Sequence, residues 1–113
     1  MAWPVLVFDI ETIPDMGGWR RLNGTSEGME AASDAELFAH WKAQRAAHGQ
    51  SDFMPLHLQR VLCISCVFRN AEGLRVHSFV DRDGESEGKV VQTFYNAIEK
   101  HSPQLVSWNG SGF

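Results

Sequence analysis

Two carboxylates, two residues apart, close the first hydrophobic run of the chain: Pro4-Val5-Leu6-Val7-Phe8, then Asp9-Ile10-Glu11-Thr12. On a strand, residues two apart project to the same face, so Asp9 and Glu11 would point one way. They would sit at the C-terminal end of a buried strand, where ligand crevices open in α/β sheets. Hard carboxylate oxygens there suit Mg²⁺ or Mn²⁺, ions that prefer oxygen ligands and keep several waters. A solvated strand end could carry the same acids, but the uninterrupted apolar run ahead of them argues for a strand buried on both faces.

A second cluster, Ser107-Trp108-Asn109-Gly110-Ser111-Gly112-Phe113, follows the short apolar run Leu105-Val106. If that run is a strand parallel to the first, a right-handed crossover makes the two strand ends neighbours. Asn109 then offers a donor and an acceptor near the carboxylates. Gly110 and Gly112 permit close backbone approach. Phe113 could stack on a base, as aromatic residues of single-strand binders do. The segment also reads as a plain turn followed by a core Phe. The two cysteines, Cys63 and Cys66, lie in an apolar, β-branched run. Three apart on a strand they face opposite ways, which suits buried structural thiols rather than a redox pair or half a zinc site. Such usage points to a reducing, cytoplasmic compartment.

The elements that must position these groups can be read from the pattern. After Thr12, Ile13-Pro14-Asp15-Met16-Gly17-Gly18 reads as a break, and Asn23 to Gly28 as loop. Ser33 with Glu36 makes a capping box for a helix from about 34 to 48, stopped by Gly49. Val61 to Phe68 is a second buried strand. Arg69 to Gly73 is a turn, and Leu74 to Val80 alternates as a third, less buried strand. The two form an antiparallel hairpin. Asp81 to Gly88 is an acidic turn. Its start resembles a calcium loop, but the later ligands are missing, so a solvated helix entrance fits better. Val90, Val91, Phe94, Ala97 and Ile98 then fall at helical spacing up to Pro103.

With 113 residues the chain allows one domain with a core of its own. Its 43% hydrophobic and 21% charged residues are ordinary for a globular protein. A formal charge of −4 excludes a protein that binds nucleic acid through bulk positive charge. It leaves room for a nucleic-acid enzyme with an acidic metal site. The basic residues are scattered. Arg20-Arg21 with Trp19 could meet a phosphate and a base, although a solvated loop is the plainer reading. No apolar run reaches the ~18 residues of a membrane span, so no membrane partner is expected.

Together the segments resemble a known family. Val7-Phe8-Asp9-Ile10-Glu11-Thr12 is similar to the first motif of the 3′–5′ exonucleases of the ribonuclease H-like fold, the DnaQ-like group with four metal-binding acids. Trp108-Asn109-Gly110-Ser111-Gly112-Phe113 is similar to their second motif, Asn-Gly-x-x-Phe-Asp. The longer stretch Val7 to Asp15 resembles most the bacterial exonucleases related to the proofreading domain of family B DNA polymerases. The resemblance implies an α/β, ribonuclease H-like mixed sheet: first strand, antiparallel hairpin, helix, parallel fourth strand. It implies an exonuclease domain with a loop-helix segment inserted at about 14–56. It implies hydrolysis with two Mg²⁺ or Mn²⁺ ions at single-stranded DNA or RNA 3′ ends, releasing nucleoside 5′-monophosphates, as in DNA repair. Asp9 would bridge both ions and Glu11 would bind one. Thr12 would lie near the terminal 3′ nucleotide, Asn109 would help position the strand, and Phe113 would pack beside the terminal bases. The protein partner is left open: a polymerase, another repair factor or nothing.

The family's second motif continues with Asp after the Phe, and a third motif supplies a further Asp and a Tyr or His base. Residues 1–113 hold two of the four acids. One helix can cover one face of the sheet, and a Gly-rich turn with an aromatic residue is how a following helix would be introduced. The expectation is therefore the N-terminal part of a single larger domain, inactive by itself. Two rivals stand beside it. A haloacid-dehalogenase-like phosphatase also opens with strand, Asp, a second acid and Thr, but uses Asp where Glu11 stands, and the hairpin fits it poorly. A catalytically silent nucleic-acid- or protein-binding module is the other. The cysteine reading makes a prediction. Zinc should be lost on dialysis, by metal analysis of the purified protein, and Cys63→Ser should leave its metal content unchanged.

Overall fold

The computed structural model describes residues 3–24, 31–108 and 110. In chain order these form β1 (Val5–Pro14), α1 (Met16–Asn23), α2 (Asp34–Ala47), one 3₁₀ turn (Leu56–Leu58), β2 (Gln59–Asn70), β3 (Gly73–Val80), α3 (Glu87–His101) and β4 (Gln104–Ser107). The strands make one mixed sheet in the order β3-β2-β1-β4. β2 and β3 pair antiparallel from Cys63↔Val80 to Asn70↔Gly73. β1 and β4 pair parallel from Val5↔Gln104 to Phe8↔Ser107. This is the α/β arrangement that the hairpin and the helix before Leu105 require, and it is consistent with a ribonuclease H-like exonuclease. The chain divides into two compact units, Met1–Ile13 with Val61–Phe113, and Pro14–Arg60. Among the described residues no helix is long and apolar enough to cross a membrane.

In the sheet unit, Leu6, Ile64, Cys66, Val90 and Phe94 are buried together, with Phe8, Ile10, Phe68, Phe79 and Ile98 packed against them. Helical spacing on α3 turns Val90, Phe94 and Ile98 toward the alternate positions of β1 and β2. The Phe8 and Phe94 rings meet at 5.1 Å and 57°, a tilted contact that aromatic quadrupoles favour. Burial pushes the Cys66 thiol up to about 11, and the neighbouring Cys63 adds to the shift. The unfolded chain gives up that proton more readily. The thiol's contribution to stability is therefore full below the ordinary thiol range and is lost as pH rises through about 11.

Burial on β1 departs from the sequence expectation. Leu6, Phe8, Ile10 and Thr12 alternate with exposed Val7, Asp9, Glu11 and Ile13. The strand is covered on one face only, because α3 packs on one side of the sheet. Val67, Val76 and Val106 are likewise exposed.

The entrance to α3 is built by acids. Asp81, 3% exposed, accepts a hydrogen bond from the Ser86 amide at 3.0 Å. Asp83 accepts from the Glu85 amide and the Ser86 hydroxyl, and these bonds lower its pKa. The Glu87 carboxylate accepts from the Val61 amide. The turn is thus a helix entrance braced by acids rather than a calcium loop, and Ser86 at the N-cap makes no side-chain cap hydrogen bond. Asp81 is buried, however, which polarity alone does not suggest.

The second unit packs Met16, Leu37, Trp41, Met54 and Leu58, with Trp19 and Phe38 against them. Its first helix, α1, stands where Gly17 and Gly18 suggest a break. Asp15 caps it, accepting from the Gly18 amide at 3.0 Å. A Cβ at Gly18 would collide with the Asp15 carboxylate. The cap and the burial of Met16 outweigh the helix cost of two glycines, about 1 kcal/mol each. Ser33 caps α2 through the Glu36 amide at 3.1 Å, as the sequence predicts.

Truncating Phe94 to Ala removes the ring that joins α3 to β1. It should cost about 3–5 kcal/mol in denaturant unfolding. Tyr95→Ala, on the exposed side of the same helix, should cost about 1 kcal/mol or less.

Candidate active site

Alternation on β1 decides where each side chain goes. Asp9 and Glu11 share the open face of the sheet and are both exposed. Thr12 is half-buried and turns to the opposite face. The structure thus brings the two acids together, and Thr12 does not stand beside them. Asn109 and Phe113 lie outside the described residues.

The parallel pairing of β1 and β4 sets what lies beside the acids. Side chains paired across a parallel ladder share a face. Val7 stands opposite Val106, and Phe8 opposite Ser107. One step further along both chains, Trp108 comes beside Asp9 on the open face. The backbone bond from the Gln104 amide to the Pro4 carbonyl, 2.8 Å, fixes the start of this register. At the far end a Cβ on Gly110 would meet the Ser107 hydroxyl, which would have to turn away.

A shallow depression of about 400 Å³ lies on this face, lined by Val7, Phe8, Asp9, Ser65, Cys66, Val67, Val76 and Trp108. On its hairpin side the Ser65 hydroxyl bonds the Ser78 hydroxyl at 3.0 Å and lies 3.5 Å from the Cys63 sulfur. Asp9 is the one charged residue in the lining. Two carboxylates on the open face of one strand have the donor chemistry for Mg²⁺ or Mn²⁺. Among the described residues no three His, Cys, Asp or Glu side chains come close enough to hold a metal ion.

Other polar groups take structural roles. Arg20 donates to Asp34 at 3.1 Å and to the Ala32 carbonyl at 2.7 Å, fastening α1 to the start of α2. His77 packs edge-on to Phe79 at 4.5 Å, and His101 lies against Phe68 at 4.6 Å. Trp108 is the residue that sequence reasoning left without a role. Its signal was present: in a parallel fourth strand it falls on the same face as the first acid.

A family model described as a predicted 3′-5′ exonuclease related to the exonuclease domain of PolB matches residues 51–113, more than half of the chain. The match begins after β1, so Asp9 and Glu11 precede it. Comparison with curated proteins and with solved structures finds no match.

Because Asp9 and Glu11 lie on the exposed face of β1, replacing either with Ala should leave stability within about 0.5 kcal/mol of the parent. Thermal unfolding followed by circular dichroism checks this.

Proposed function

The chain belongs to this family of predicted 3′–5′ exonucleases related to the exonuclease domain of PolB, and on that premise we propose that Asp9 and Glu11 are the metal-binding acids of its hydrolytic site. The observation that carries the proposal is their placement: two hard carboxylates on the open face of β1, beside the strand that leads to Trp108. Mg²⁺ or Mn²⁺, when bound, would supply Lewis-acid stabilisation of charge at the scissile phosphodiester and a nucleophile at neutral pH. Asp9, in the lining of the depression, would hold metal nearest the substrate. Glu11, two residues further along the same face, would hold metal with it. Thr12 is half-buried on the opposite face, so a contact with the terminal nucleotide would come through its backbone. Asn109 and Phe113 follow Trp108 and would help hold the strand.

The substrate in this reading is the 3′ end of single-stranded DNA or RNA, and the product a nucleoside 5′-monophosphate. The single-stranded preference rests on the site's form. A shallow, open depression with one charged lining residue can admit an unpaired base and has no cationic track for a duplex.

Full-length protein with Mg²⁺ or Mn²⁺ should shorten 5′-labelled single-stranded DNA from the 3′ end and release mononucleotides. Asp9→Ala and Glu11→Ala should each lower the rate by orders of magnitude. Residues 1–113 alone should leave the strand intact. A phosphatase would instead hydrolyse small phosphate esters, and a silent module would do neither. Full-length protein that is folded, supplied with metal and inert toward 3′-ended DNA and RNA would overturn the exonuclease reading.

A further inference from the structure

Trp108 is 84% exposed, more than any other large hydrophobic residue among those described. Leaving an indole in water forfeits roughly the 25 cal/mol per Å² that burial of its apolar surface would gain. It directly follows β4, which ends at Ser107. The Phe8↔Ser107 pair places the next residue of each chain side by side, and alternation turns both Asp9 and Trp108 to the open face. The two then line one depression of about 400 Å³, within the ~300–1,000 Å³ range of ligand clefts.

The chemistry of that lining selects an occupant. Val7, Val67 and Val76 give it an apolar floor, and Ser65 supplies a hydroxyl. No Lys or Arg lines it, so nothing there neutralises a phosphate. Asp9 repels an anion except where a cation intervenes. A neutral, flat, aromatic group can lie against an exposed indole, whose face stacks on any base without regard to sequence. The anionic part of the same ligand would then be directed toward the cations held by Asp9. A nucleobase joined to a phosphodiester has this combination of parts.

We propose that Trp108 is the stacking platform for the base of the 3′-terminal nucleotide, and this rests on the exonuclease reading of Asp9 and Glu11. It makes Trp108 a substrate-binding residue that distinguishes a strand with an intact terminal base from one without. It also makes the site indifferent to which base is present.

The test uses full-length protein and two 5′-labelled single strands, one ending in an ordinary nucleotide and one in an abasic 3′ residue. Binding is measured in EDTA, and hydrolysis in Mg²⁺. On the ordinary strand, Trp108→Ala should weaken binding and raise KM by about tenfold, with kcat changed far less. Trp108→Phe should restore most of the loss. On the abasic strand, Trp108→Ala and the parent should bind alike. Equal losses on both strands, or a lowered melting temperature that accounts for the loss, would mean that Trp108 holds protein structure, and would overturn the proposal. Degradation of the ordinary strand with unchanged KM in Trp108→Ala would overturn this inference and leave the exonuclease reading standing. A parent that neither binds nor degrades either strand would overturn both.

Discussion

Four rungs of parallel pairing, Val5↔Gln104 through Phe8↔Ser107, hold together two segments that lie about as far apart in sequence as this chain allows. A parallel pair cannot be closed by a tight turn, so everything between the two strands is in effect their crossover. The hairpin extends the sheet on the other side of β1, and α3 returns the chain across one face. The acids on β1 and the turn after β4 become neighbours only through this pairing. Displacing β4 by one residue would turn Trp108 to the opposite face from Asp9.

The sheet is sided. The face under α3 carries Leu6, Ile64, Cys66 and Phe94 in a close-packed cluster. The other face carries valines, hydroxyls and two carboxylates in the open. Rigidity and chemistry are therefore divided between the two surfaces of the same strands. A residue such as Phe8 anchors β1 from beneath while Asp9, the next in the chain, stands over the depression. The site's geometry is inherited from a core with which it shares no side-chain face.

Much of this was legible in the residues. The apolar run into Asp9-x-Glu11 marked a strand with both acids on one face, although β1 runs on past them to Pro14, and the turn at residues 69–73 marked a hairpin. Helical spacing from Val90 to Ile98 placed α3; the turn expected at 109–112 falls mostly outside the described residues. What failed did so for local reasons. The Gly17-Gly18 pair hid α1, because an N-cap at Asp15 and the packing of Met16 override intrinsic propensity. The run Val5 to Phe8 suggested burial on both faces, because hydrophobicity records what a residue tolerates, not what covers it. Asp81 looked like a surface acid, although its burial is matched by the amide it accepts from. Trp108 was visible as an aromatic residue, but its relation to Asp9 exists only once a register is fixed.

The backbone bond from the Asp15 amide to the Leu58 carbonyl, 2.7 Å, ties together the two ends of the unit built from residues 14–60. The strands it joins, β1 and β2, are hydrogen-bonded neighbours in the sheet, so this long excursion leaves and re-enters the fold at adjacent points. The entropy of closing such a loop rises only with the logarithm of its length. The unit can therefore lengthen, shorten or change its surface over evolutionary time with little penalty to the strands that carry the acids. Variation concentrated there would alter what the protein meets while leaving the chemistry of the sheet untouched.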